Sequence, residues 1–156
     1  MQPKAQTSTI SVLIADDTEL ARTGLSGILG TASDIQVVGC ATVAEQVPTM
    51  VRQWRPEIVL MDLDWFGDRG AAAFGAVRQV KNESPETKII AVTNFPDLID
   101  KVRAVGADAA MSKGFSRAEI LDMIRAVYAM DTSLQSVPKA EVLEQPLSER
   151  ELDILM

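Results

Sequence analysis

Five short apolar runs, separated by amphipathic stretches, set the tightest limit on what this chain can fold into. They lie at roughly 10–15, 35–40, 57–62, 88–93 and 108–112. Short apolar runs alternating with helical segments are the pattern of βαβ units around a parallel sheet. Five strands and five helices in strict alternation give a doubly wound three-layer α/β sandwich. No internal repeat is present.

Helices fill the gaps. The first runs from about Thr18 to Leu29, with Leu20, Leu25, Ile28 and Leu29 as its inward stripe and Gly30 as its stop. The second, about 44–54, contains Pro48, tolerated only near a helix start, so it begins late or is distorted. The third, about 70–82, carries Ala71, Ala72, Ala73 and Ala76 and can approach the sheet closely. The fourth, about 97–105, follows Pro96 and stops at Gly106. The fifth opens on a capping box, Ser116 with Glu119, and presents Ile120, Met123, Ile124, Val127 and Tyr128.

Residues 10–130 thus form one domain, and residues 1–9 are expected to be disordered. Residues 131–146, with two prolines and no clean period, read as a linker. Residues 147–156 open another helix, capped by Ser148 with Glu151 three later. That start implies a docking tail or the beginning of a further domain.

Composition narrows the function. A hydrophobic share of 47% supplies a core, so the chain is globular. A formal charge of −7 argues against direct nucleic-acid binding, which needs clustered Lys and Arg. The single Cys40 excludes a disulfide framework and fits a reducing cytoplasm. No apolar run approaches the ~20 residues of a membrane span, so no membrane partner is expected.

The strand ends carry the chemistry. The run at Val12 closes on Asp16-Asp17, Ile58-Val59-Leu60-Met61 on Asp62, Ile89-Ile90-Ala91-Val92 on Thr93, and Ala109-Ala110-Met111-Ser112 on Lys113. Open α/β sheets place their sites at the carboxyl ends of strands. If the first and third strands are neighbours, Asp16, Asp17 and Asp62 crowd together. Clustered carboxylates repel unless a cation neutralises them, and hard oxygens select Mg²⁺ or Mn²⁺. An acyl phosphate on Asp62 would present oxygens to that metal, to the Thr93 hydroxyl and to the Lys113 ammonium. Singly, these residues have blander readings: Asp17 as a helix N-cap, Thr93 as a β-branched strand residue, Lys113 as a solvated terminus. Together and in step, the metal and phosphoryl site prevails.

Residues 10–17, 58–62, Val92-Thr93, and Gly106-Ala107-Asp108 leading to Lys113 resemble, in order and spacing, the motifs of the bacterial response regulator receiver domain. The resemblance covers about residues 10–130. It implies a flavodoxin-like strand order of 2-1-3-4-5 and phosphorylation of Asp62 by a sensor histidine kinase or small phosphodonors. Mg²⁺ would be held by Asp16, Asp17 and Asp62 with the backbone carbonyl of Asp64. Thr93 and Lys113 would bind the phosphoryl group. Residues 147–156 resemble the first helix of the helix-turn-helix domain of NarL/LuxR-type transcriptional regulators. A cytoplasmic homodimer follows, reaching DNA only through that further domain and switching with at most slow self-dephosphorylation.

The sequence departs from that family in two places. Ala110 stands where the family carries the aromatic partner of the Thr, and Trp65-Phe66 where it carries Met-Pro. Trp65 and Phe66 either cover the phosphorylation pocket or pack on their own side of the loop, and Asp64 adds a negative side chain beside the site. Two other functions compete. One is a receiver fold that dimerises or binds a ligand without phosphorylation, which Ala110 and the Trp65-Phe66 loop favour. The other is a haloacid-dehalogenase-type phosphatase, suggested by Asp62-Leu63-Asp64 but lacking that family's Thr after the second Asp and an acid pair after Lys113.

Overall fold

The computed structural model describes residues 9–65, 68 and 70–130. Its elements follow in strict alternation: β1 (Ile10–Ala15), α1 (Glu19–Gly30), β2 (Ile35–Ala41), α2 (Val47–Trp54), β3 (Ile58–Asp62), α3 (Ala71–Glu83), β4 (Lys88–Thr93), α4 (Pro96–Ala104), β5 (Ala109–Ser112) and α5 (Arg117–Tyr128). All strands run parallel in the order β2-β1-β3-β4-β5. That is the expected doubly wound order, with β1 and β3 adjacent. The expectations placed on residues 1–8, on Phe66 and on the linker and helix start at 131–156 lie outside the described residues.

Side chains on a strand point alternately to opposite faces, and here the two faces make two cores. Leu13, Ala15, Val59, Met61, Ile89 and Ala91 face α2, α3 and α4, against Val47, Val51, Ala73, Val77, Leu98 and Val102. Val12, Ile14, Ile58, Leu60 and Ile90 face α1 and α5, against Leu29, Ile120, Ile124 and Val127. The central strands β3 and β4 are buried along their whole length, whereas the edge strand β5 is only partly covered. Covering both faces is what a parallel sheet requires, and it leaves only the strand ends for chemistry.

The helices match their sequence signals with one correction. Leu20 does not join the inward stripe of α1: it is 85% exposed, while Leu25, Ile28 and Leu29 pack inward. Leu20 and Leu25 are five residues apart, about 140° around a 3.6-residue helix, so they cannot share a face. Pro48 does delay its helix, as the irregular turn at Ala44–Gln46 precedes α2 and the proline occupies the first turn. Ser116 and Glu119 form the reciprocal capping box. Tyr128 lies at the rim of its expected face, exposed.

At the amino edge of the sheet one lysine ties three segments. Lys81 Nζ on α3 donates to Pro85 O (3.1 Å), Thr87 O (2.9 Å) and Asp108 Oδ2 (3.0 Å). Asp108 is fully buried and also accepts from Ile89 N at 2.8 Å. Gly106 turns the chain into this clasp with φ +124°, and a Cβ there would lie 3.1 Å from Lys81 Cγ. Removing one member of a buried pair strands the other, a loss of several kcal/mol. Asp108→Ala is therefore expected to destabilise the fold by about 3–5 kcal/mol. Urea unfolding should show a lower midpoint with unchanged slope.

Candidate functional site

Parallel pairing places the ends of β1, β3, β4 and β5 at one edge, and the loops leaving them are held by backbone bonds. Asp16 N donates to Ala41 O (3.0 Å), Leu63 N to Val92 O (3.0 Å) and Lys113 N to Thr93 O (3.0 Å). Each functional side chain is therefore mounted on the ladder itself or within two residues of its end.

Asp16 is fixed locally. Its Oδ1 accepts from Thr18 N (3.0 Å) and Thr18 Oγ1 (3.1 Å), and Arg22 Nη1 donates to its carbonyl at 2.9 Å. The cap of α1 is Thr18, whose Oγ1 accepts from Ala21 N, so Asp17 is not the N-cap that its position suggested. Asp16, Asp17 and Asp62 each offer a carboxylate oxygen within 4.8 Å of the others, with Asp16 and Asp62 buried. Among the described residues this is the one acidic group so arranged.

Three close carboxylates, two of them dehydrated, need positive charge. The donor set is hard oxygen, which suits Mg²⁺ in a partly hydrated site. The residues present therefore fit a divalent cation.

Lys113 is the counter-ion the protein itself supplies. Its Nζ lies 2.8 Å from Asp62 Oδ1 and 3.3 Å from Asp64 Oδ2. Burial lowers the Lys113 pKa, but the hydrogen bond and charge of Asp62, with the charge of Asp64, outweigh it and hold the ammonium above the ordinary lysine value. For Asp62, only 2% exposed, burial is the larger influence. It pushes the carboxyl up, aided by the neighbouring charge of Asp16, and the bonds from Lys113 and Asp64 N only partly offset it.

Asp64 lies differently from the other acids. Its backbone N–H donates to Asp62 Oδ1 at 2.9 Å, which turns its side chain across the sheet edge toward β4. There Oδ1 accepts from Thr93 Oγ1 (2.6 Å) and Oδ2 from Asn94 N (2.8 Å). Thr93 Oγ1 in turn accepts from Phe95 N at 3.0 Å. The Asp64 side chain thus joins the hydroxyl and ammonium, not the three-carboxylate group.

Trp65 is buried in the core on the α3 and α4 face, with Leu63 and Leu98. Of its two readings the packing one holds, and the buried indole anchors the chain next to Asp64. Ala110 sits half-buried against the same core, opposite Ala91. Asn94 is the group sequence reasoning missed: its contribution is a backbone N–H, which no residue type announces. Asn-Phe-Pro after a strand end, a turn sequence, is the trace of it in the chain.

Residues 12–125 match the response regulator receiver domain family. The chain is 30% identical over 158 residues to the response regulator protein VraR of Staphylococcus epidermidis, covering 94% of this chain and 74% of that protein. It is 31% identical over 159 residues to VraR of Staphylococcus aureus, covering 95% and 75%. Among solved structures, a LuxR-family two-component response regulator from Aurantimonas sp. superposes with a TM-score of 0.71 at 24% identity, over 88% of this chain and 100% of the other. The response regulator domain of Thermotoga maritima CheB does so with a TM-score of 0.70 at 23% identity, over 79% and 98%.

The raised pKa of Asp62 has a signed consequence. The folded protein holds that proton more tightly than the unfolded chain, so its stabilising share is full below the ordinary value of 3.8 and is lost as pH rises through the higher folded pKa. In EDTA, the thermal midpoint of Asp62→Asn should gain on that of the unaltered protein as pH is raised through this window, then level off. Adding Mg²⁺ should narrow the gap. A gap that is flat across pH in EDTA would contradict this electrostatic account.

Proposed function

The chain belongs to the response regulator receiver domain family, and from that membership we propose a phosphoacceptor switch whose acceptor is Asp62. One observation carries the assignment: the Asp62 carboxylate is buried at the carboxyl edge, bonded to Lys113, with Asp16 and Asp17 within ligand distance. In the proposed step an Asp62 carboxylate oxygen attacks the phosphorus of the donor. A P–O bond to Asp62 forms as the donor's P–O or P–N bond breaks, and the donor departs with that electron pair.

Each neighbour then has a distinct task. Asp16, Asp17 and Asp62, with the backbone carbonyl of Asp64, would hold Mg²⁺, which would supply positive charge to the phosphoryl group. Lys113 pairs with one phosphoryl oxygen and Thr93 donates to another. Burial of Asp62 limits the approach of water, so hydrolysis of the acyl phosphate is slow and returns the free carboxylate and inorganic phosphate.

A haloacid-dehalogenase-type phosphatase would need an acid pair after Lys113. Among the described residues, the acids that gather with Asp62 are Asp16 and Asp17, both before it in the chain. In the proposed pathway the donor is a sensor histidine kinase in the cytoplasm and the active form is a homodimer. The output is transcription through a DNA-binding domain on the carboxyl-terminal side of the receiver. Support for that continuation comes from the VraR relatives, whose similarity runs over 94–95% of the chain, beyond residues 12–125. No helix among the described residues is long and apolar enough to cross a membrane.

Intact-protein mass after incubation with acetyl phosphate tests the acceptor. One phosphoryl group is expected in Mg²⁺, none in EDTA and none for Asp62→Ala. Thr93→Ala and Lys113→Ala should slow uptake on the order of 100-fold, as loss of a single oxyanion donor does elsewhere. Uptake by Asp62→Ala at the same rate would overturn the assignment.

A further inference from the structure

The two donors assigned to a phosphoryl group on Asp62, Thr93 and Lys113, already hold an anion together with the neighbouring Asn94 amide. Thr93 Oγ1, Asn94 N and Lys113 Nζ converge on the two oxygens of Asp64 at 2.6, 2.8 and 3.3 Å. The Asp64 side chain is only 10% exposed there, and its bond from the buried Thr93 hydroxyl is a short charge-assisted one. We infer that the Asp64 carboxylate is a built-in stand-in for the phosphoryl group, which occupies its donors in the unphosphorylated protein and must swing out before Asp62 can be modified.

The geometry makes the exchange simple. The backbone N–H of Asp64 is held on Asp62 Oδ1 and the next residue, Trp65, is buried in the core. Rotation about the Asp64 side-chain bonds is then enough to release the donors, and the backbone need not move. Two effects follow. The apparent affinity of the pocket for a phosphoryl group falls by the fraction of molecules in which Asp64 is swung out. The segment after β4 is also pinned before any signal arrives, because Asn94 N is tied to Asp64 and Phe95 N to Thr93. Phosphorylation at this site therefore replaces one anion with another and does not order a vacant pocket. The competition half of this inference rests on Asp62 being the phosphoacceptor.

Beryllofluoride, a tetrahedral anion that adds to a carboxylate without a covalent phosphoryl transfer, tests it directly. The unaltered chain, Asp64→Asn and Asp64→Ala would be titrated in Mg²⁺, with hydrogen exchange of the Asn94 and Phe95 amides followed before and after. Removing Asp64's oxygens should lower the half-saturating concentration about tenfold or more, the scale of a hydrogen bond to an ionised group. It should also speed Asn94 exchange in the ligand-free state, and saturation should restore protection. Asp64→Asn keeps one acceptor oxygen without the charge and should fall between the two. Circular dichroism of both variants confirms that they are folded.

Equal half-saturation for the unaltered chain and Asp64→Ala would overturn the inference while leaving Asp62 as acceptor. Unchanged Asn94 exchange in ligand-free Asp64→Ala would overturn the pinning, and with it the stand-in. Failure of every variant to take up beryllofluoride would remove the phosphoacceptor reading beneath it as well.

Discussion

The parallel pairing of β1 with β3 is the constraint from which the rest of this molecule follows. It sets Ala15 beside Met61, so that the residues one step further on, Asp16 and Asp62, meet at the same height above the sheet. Two dehydrated carboxylates and a third beside them cannot be stable neighbours in isolation, and the surroundings read as answers to that problem. Lys113 comes from the far strand with its own backbone N–H tied to Thr93. A cation fits between the acids. The fold spends its two faces on hydrophobic cores and concentrates its electrostatic tension in one small region.

Much of this was legible in the sequence because it depends on quantities a sequence carries directly. An apolar run that stops at a polar residue marks both a strand and the position of its end, and four such runs, closing on Asp16, Asp62, Thr93 and Lys113, fix which residues share an edge. Pro48, the Ser116–Glu119 box and Gly106 each left a local signature that needs no tertiary context. Leu20 shows the limit of pattern reading, for an apolar residue near a stripe is not on it unless the angle agrees.

The direction of a side chain in an irregular loop was not legible. Whether Asp64 faces the three acids or the Thr93 hydroxyl depends on which donors the loop brings to it, here Thr93 Oγ1 and Asn94 N. Neither indole burial nor the backbone N–H of Asn94 is written in residue type. Asp64 could be seen as an extra negative charge beside the site, but not as the occupant of its donors. The half-buried Ala110 packs against the same core as Trp65.

The Lys81 clasp at the opposite edge of the sheet has a mechanical meaning. By holding the last turn of α3, the entry to β4 and the entry to β5 with one ammonium, it ties the base of these strands together. Thr93 and Asn94 lie at and just past the opposite end of β4, away from that tie.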